Sequence, residues 1–217
     1  MRQVDWTGML LTLPEGDFRA YLFDCDGTIA DSMPIHFIAW TQALKEYGCT
    51  SFTEDLFYAW GGRPVAAIVA ELNRRDGLNI PIAEFSHRKE SFYYELMDQL
   101  QPVPEVLEQI HLQHGRIPFA VVSGSTRESV VRSLETLKIL HLFETLVCAG
   151  EYARSKPAPD PFLLAAQLLG VAPEHCLVFE DAEIGIQAAK AAGMATVRIA
   201  QPHERAAAAG LRDAASN

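Results

Sequence analysis

Five short apolar runs recur along this chain, and their spacing constrains the fold more than any other feature. They are Ala20–Phe23, Pro118–Val122, Leu146–Ala149, Cys176–Phe179 and Ala195–Ile199. Each has the length and the β-branched or aromatic content of a strand buried on both faces. Helix-like segments separate the last four: Arg127–Leu137, Pro161–Leu169 and Ile184–Ala192. Ser125 with Glu128 three residues on fits a capping box, Pro161 suits a helix start, and Gly170 and Gly193 follow helices as C′ residues. Strand–helix–strand repetition of this kind implies an α/β fold with a parallel sheet and right-handed crossovers.

One interval breaks the rhythm. About ninety residues separate the first run from the second, too many for a single crossover helix. Pro34–Leu100 is rich in helix formers and aromatic residues and has no strand-like run, and Pro102 and Pro104 mark its exit. A chain of 217 residues, set against ~150 per domain, fits a main domain carrying an insertion. The expected division is therefore a core domain from residues 1–32 and 103–217, with a helical domain at 33–102. The aromatic residues of the insertion, from Phe37 and Trp40 to Tyr93 and Tyr94, are expected to pack its own core. At the tail, Ala206–Ala209 offers at most a short Ala-rich helix.

Charge narrows the partners. The 28 acidic residues outnumber the 18 basic ones, for a net charge of −10. Such a field repels nucleic acid and anionic membranes, so neither is expected as a partner. A small phosphorylated metabolite remains compatible if a metal ion or a lysine inverts the sign locally. No apolar run approaches the ~18–20 residues that cross a bilayer. The N-terminal MRQVDWTGMLLTL carries Asp5 in its middle and has neither a basic cluster nor a small-residue cleavage site, so no signal peptide is expected. Cys25, Cys49, Cys148 and Cys176 lie far apart without a CxxC pair, as reduced thiols in a cytoplasm do.

The chemistry-bearing residues sit where the runs end. The first run leads into Asp24-Cys25-Asp26-Gly27-Thr28. Carboxylates at i and i+2 of extended chain point to one side, and at the C-terminal edge of a parallel sheet they face the ligand crevice. Two such groups repel unless a cation or a shared proton intervenes, and a hard oxygen-seeking ion such as Mg²⁺ suits them. Glu180-Asp181 closes another run in the same way, and two acidic pairs at two strand ends make a metal site, because unpaired buried charge is costly. Ser123-Gly124-Ser125-Thr126 ends the second run and opens a helix, which presents donors to an anion. Lys156 precedes the stiff Pro157-Ala158-Pro159-Asp160-Pro161 turn, which holds it as a phosphate partner rather than a loose surface charge. These pieces share one use. One carboxylate attacks phosphorus, another handles the proton, and metal and lysine neutralise the phosphoryl oxygens.

In order along the chain, Asp24-Cys25-Asp26-Gly27-Thr28, Ser123, Lys156-Pro157 and Glu180-Asp181 resemble the four motifs of the haloacid dehalogenase superfamily of phosphohydrolases. Ala30-Asp31-Ser32 with His36 and Trp40, KPAPDPF, and FEDAEIGIQAAKAAGM look like its β-phosphoglucomutase and sugar-phosphate phosphatase branch, similar to fructose-1-phosphate and 6-phosphogluconate phosphatases. The resemblance spans roughly residues 19 to 200 and implies a Rossmann-like core with an inserted helical cap. It implies that Asp24 is the nucleophile that forms an aspartyl-phosphate. Asp26 would be the general acid and base and would offer its backbone carbonyl to Mg²⁺. Asp181 would ligate the metal with Glu180 in or beside the shell, and Ser123, Gly124 and Lys156 would hold the phosphoryl group. Cys25 falls at the variable middle position and would point away from the site.

Substrate choice would rest with the cap, where His36 and Lys89 match positions that contact the sugar or assist the hinge and acid, and Arg63 stands near a phosphate-gripping arginine. Two departures separate the chain from the mutases. Gly61-Gly62-Arg63-Pro64 brings its arginine one residue early, and Thr28 stands where a mutase pattern has valine. Both favour a phosphatase acting on small sugar phosphates, with β-phosphoglucomutase, which interconverts β-glucose 1-phosphate and glucose 6-phosphate, as the alternative. A phospho-acceptor module using Asp24 as a receiver would need neither the insertion nor Asp26.

Overall fold

The four residues of β1 (Ala20–Phe23) are buried on both faces. Tyr21 and Phe23 join one apolar cluster and Ala20 and Leu22 another, following the two-residue period of a strand. β1 pairs in parallel with β2 (Phe119–Val122) on one side and with β4 (Cys176–Glu180) on the other. β3 (Thr145–Val147) and β5 (Ala195–Arg198) complete a five-stranded sheet of order β3-β2-β1-β4-β5. The computed structural model describes residues 11–202, 204 and 205; Ala206–Ala209 and residues 1–10 of the leader reading lie outside them. The five apolar runs are the five strands, with ends displaced by no more than a residue or two.

Between β1 and β2 the chain forms α1 (Met33–Lys45), α2 (Glu54–Ala59), α3 (Val65–Asp76) and α4 (Ile82–Glu95), with no strand among the described residues of that interval. Thr53 caps α2 by accepting from the Leu56 N–H at 3.3 Å, and Gly77 ends α3 in the left-handed region. Trp40, Leu44, Phe52, Phe57, Leu72 and Phe85 build an apolar cluster that belongs to this segment. Tyr93 departs from it. It packs instead with Ala30, Ile35, Ala39 and Met97, where the segment meets the loop after β1. The two connections run side by side: the Asp31 N–H donates to Gln101 O at 2.8 Å, and the Val103 N–H to Ile29 O at 2.9 Å.

The sheet is then covered on both sides. Val106 and Ile110 of α5 (Pro104–Gln113) and Val130 and Leu134 of α6 (Arg127–Thr136) pack on the Tyr21 and Phe23 side. Phe162 and Ala165 of α7 (Asp160–Leu169) and Ala188 and Ala189 of α8 (Glu183–Ala191) cover the other. The capping box expected at Ser125 and Glu128 does not form. Thr126 is the N-cap of α6, with its hydroxyl accepting from the Ser129 N–H at 3.3 Å. Ser125 instead donates its hydroxyl to the Asp26 carboxylate at 2.7 Å, a charge-assisted bond that commits its side chain to the loop after β1, and Glu128 pairs with Arg132 one turn on. Among the described residues, no helix is long and apolar enough to cross a membrane.

Candidate active site

Because β1 and β4 are parallel neighbours, whatever follows each strand emerges at the same sheet edge. Asp24 follows β1, with its N–H donating to Phe179 O at 3.0 Å, and Glu180-Asp181 ends β4. All three carboxyl groups are buried, and they bring oxygens within 4.8 Å of one another. Gly27 serves this convergence in two ways. Its φ of 86° turns the chain where an L side chain is strained, and a Cβ there would run into the Asp181 carboxylate.

Lys156 reaches the cluster from the loop before α7. Its Nζ donates to Asp24 Oδ1 at 2.7 Å, Glu180 Oε1 at 2.6 Å and Val122 O at 3.1 Å, which uses all three of its protons. Burial would pull the ammonium down, but Asp24 and Glu180 outweigh it and hold Lys156 above the ordinary lysine range. Burial pushes the Asp24 carboxyl up, Lys156 draws it back, and Glu180 and Asp26 leave it above the ordinary carboxylate range. Asp181 moves the same way, from burial first and then from Glu180 and Asp24. Three crowded carboxylates share one ammonium, so the donor set fits a hard divalent cation, which such crowded oxygens attract. The second Glu180 oxygen accepts from the Ala182 N–H at 3.0 Å. Its carboxylate lies where a Cβ on residue 185 would stand, so the glycine five positions after Glu180 was a sequence signal for that close approach.

Asp26 has the opposite surroundings. Ser125 donates to its Oδ2 at 2.7 Å, Ser32 to its Oδ1 at 2.8 Å, and His36 Nε2 lies 3.1 Å from the same Oδ1. Burial would raise this carboxyl, yet His36 and the two hydroxyls prevail and hold it below the ordinary range, hence ionised. Ser32 and Ser125 are the site residues whose part the sequence reading missed. An Asp two residues after a nucleophile candidate needs donors, and hydroxyls at a helix entry and after the neighbouring strand were the signal for them.

The ten catalytic, phosphate-binding, metal-binding and cap residues expected from the sequence all line one cavity of about 430 Å³. Asp24, Asp26, Ser123, Gly124, Lys156, Glu180 and Asp181 line it from the sheet edge, and His36, Arg63 and Lys89 from the helical insertion. Ser123 is buried, with its hydroxyl oxygen accepting from the Ser125 N–H at 3.0 Å and its carbonyl from Tyr152 OH at 3.2 Å. Lys89 is no surface charge: it is 4% exposed, with Nζ 2.5 Å from Glu90 Oε1. Arg63 is half-buried, and its guanidinium lies 5.0 Å from the Trp60 ring centroid. Cys25 lies in the core cluster and does not line the cavity.

Residues 21–199 match the family model of the haloacid dehalogenase-like hydrolases. The chain belongs to that family. It is 40% identical over 185 residues to the fructose-1-phosphate phosphatase YqaB of Escherichia coli, covering 84% of this chain and 96% of that one. The β-phosphoglucomutase of Bacillus subtilis is 31% identical over 194 residues, 84% of each chain. Among solved structures, CbbY of Rhodobacter sphaeroides in complex with phosphate matches with a TM-score of 0.75 at 24% identity, over 82% of this chain and 84% of that one, a likeness of fold. In this haloacid dehalogenase-like hydrolase the acidic strand ends meet Lys156, brought in by the loop before α7, at one edge of a parallel sheet in a fold shared with its structural neighbours.

Proposed function

We propose that the protein is a Mg²⁺-dependent phosphomonoesterase that hydrolyses small sugar phosphates through an aspartyl-phosphate on Asp24. One observation carries this: the Asp24 carboxylate borders the cavity beside Lys156 and Asp181, and Asp26, two residues on, is held ionised by three partners. The names of the two curated relatives, both enzymes of sugar phosphates, support the substrate class.

In this reading an Asp24 carboxylate oxygen attacks phosphorus and the bond from phosphorus to the sugar oxygen breaks. Asp26, protonated from solvent in the substrate complex, gives that oxygen its proton and is left ionised. Water then attacks the aspartyl-phosphate, Asp26 takes a proton from it, and inorganic phosphate leaves with Asp24 restored. The ionised Asp26 of this structure is the form that accepts the proton in the second half. Ser123, Gly124 and Lys156 hold the phosphoryl oxygens. Asp24, Asp181 and the Asp26 carbonyl would hold Mg²⁺, with Glu180 at the edge of the shell, since its oxygens already engage Lys156 and the Ala182 N–H. When bound, Mg²⁺ supplies positive charge to the oxygens of the transferring group. The buried free thiols support a cytoplasmic setting.

The test is phosphate release from fructose 1-phosphate, 6-phosphogluconate, glucose phosphates and p-nitrophenyl phosphate. Activity is expected with Mg²⁺, none in EDTA, and recovery when Mg²⁺ is returned. Release from no ester, or an undiminished rate after chelation, overturns the reading. Conversion of β-glucose 1-phosphate to glucose 6-phosphate without net phosphate release would replace it with the mutase reading that the Bacillus relative favours.

Residues 33–102 serve here as a cap that closes over the core site, and its Arg63 and Lys89 grip the sugar phosphate while His36 serves Asp26. Stacked over Trp60 at the cavity wall, Arg63 presents a charge that the phosphoryl chemistry does not use. A hydrogen bond to a charged group is worth about 1.5–3 kcal/mol, so Arg63→Ala is expected to lower kcat/KM for the preferred sugar phosphate about 10- to 100-fold. The same variant should leave p-nitrophenyl phosphate, which needs only the core, nearly unchanged. Equal effects on both esters would show that Arg63 does not choose the substrate.

A further inference from the structure

His36 has one atom on Asp26 and nothing on the other. Its Nε2 lies 3.1 Å from Asp26 Oδ1, while Nδ1 is buried without a hydrogen-bond partner among the described residues. An imidazole is ordinarily oriented by the bond its second nitrogen makes, and the torsion that rotates the ring is a broad, soft one. Something else must hold this ring. Tyr93 stacks on it face to face, with centroids 4.0 Å apart and planes 12° from parallel.

Tyr93 is itself fixed to the core. Its hydroxyl lies 3.0 Å from Ser133 Oγ on α6, and the Ser133 hydroxyl donates to Ser129 O at 2.9 Å. Ser133 has a single proton and gives it to that carbonyl, so Tyr93 is the donor in the pair. Tyr93 is fully buried, and Ser133 is 1% exposed. A continuous set of contacts thus runs from α6 through α4 and α1 to the loop after β1: Ser133, Tyr93, His36, Asp26.

We infer that Tyr93 is a positioning residue for the proton-handling carboxylate: its ring, anchored on Ser133, fixes the plane of His36 so that Nε2 stays on Asp26. This deepens the function proposed above and rests on Asp26 being the group that protonates the leaving oxygen. Tyr93 does not line the cavity, so it acts through His36 and not on the substrate.

The experiment compares phenyl phosphate with p-nitrophenyl phosphate, two esters of one general shape whose leaving oxygens differ in their need for a proton. General acid help is worth about 10²–10⁴-fold, and loosening the residue that aims it should forfeit a part of that. Tyr93→Leu is expected to lower kcat on phenyl phosphate about tenfold, with KM little changed, and on p-nitrophenyl phosphate by less than about twofold. Tyr93→Phe keeps the stack and drops only the anchor, so it should retain most of the wild-type rate. In a His36→Ala background the leucine change should cost nothing further, since the ring it aims is gone. Should Tyr93→Leu not fold, Tyr93→Met fills the space with a chain that cannot stack as a ring and is read the same way. Equal losses on both esters, a phenylalanine variant as slow as the leucine one, or additive losses with His36→Ala would each overturn the inference. A wild-type protein that hydrolyses neither ester would instead overturn the function on which it rests.

Discussion

Asp24→Asn is expected to reduce phosphate release from every ester to near background while the protein stays folded. The amide keeps the shape of the carboxyl, and its oxygen still accepts from Lys156, which retains Glu180 as a charged partner. The anionic oxygen that attacks phosphorus is gone, and with it the covalent route that supplies most of an acceleration of at least ~10⁶-fold. Stability should move the other way. In the metal-free protein the Asp24 carboxyl is held above its ordinary range by burial and by Glu180 and Asp26, against Lys156. A carboxyl raised in the folded state costs stability once pH exceeds its unfolded value, and the cost recedes as pH falls toward the unfolded value. The neutral amide never carries that cost. At pH 7 without metal, Tm of Asp24→Asn should therefore equal or exceed that of the wild type, and the gap should narrow toward pH 4. A variant that hydrolyses fructose 1-phosphate near the wild-type rate would end the assignment of Asp24. An activity loss accompanied by a fall in Tm would mean that the fold, and not the nucleophile, had been damaged.

Much of this arrangement was legible because strands and strand ends are local facts. A run such as Ala20–Phe23 is short, apolar and bounded, and two acidic pairs that end such runs must meet once the runs are parallel neighbours. The length of the interval from Asp24 to Pro118 likewise betrayed a helical segment, since a crossover needs no such span. Pairings between distant residues left no local trace. Ser125 carries every sign of a helix cap, and its hydroxyl goes to Asp26 only because β2 lies beside β1. Lys89 is expected at the cap site only through the family resemblance, because nothing in its neighbours in sequence tells that its face of α4 is buried. Tyr93 is one of three consecutive aromatic residues, and only packing separates it from Phe92 and Tyr94.

Asp26→Asn should fail in a different way from Asp24→Asn, and the difference separates the two carboxylates. The asparagine oxygen can accept from Ser32 and His36 as Asp26 Oδ1 does, and its NH₂ then faces the Ser125 hydroxyl oxygen in place of Oδ2, but the amide can neither give a proton to the leaving oxygen nor take one from water. A sugar alkoxide leaves badly without a proton. Release from fructose 1-phosphate should fall about 10²–10⁴-fold, with no rapid phase. p-Nitrophenolate needs no proton to leave, so attack by Asp24 should still proceed on that ester. The aspartyl-phosphate so formed waits for a water that no base activates. The expected record is one rapid equivalent of p-nitrophenolate per protein, followed by slow turnover, with phosphate retained on the chain at Asp24. Asp24→Asn should give neither the rapid phase nor the retained phosphate. A uniform slowing of both esters without a rapid phase would deny Asp26 the proton-handling role. It would leave the hydrogen bonds from Ser32, Ser125 and His36 as supports of the loop after β1 alone.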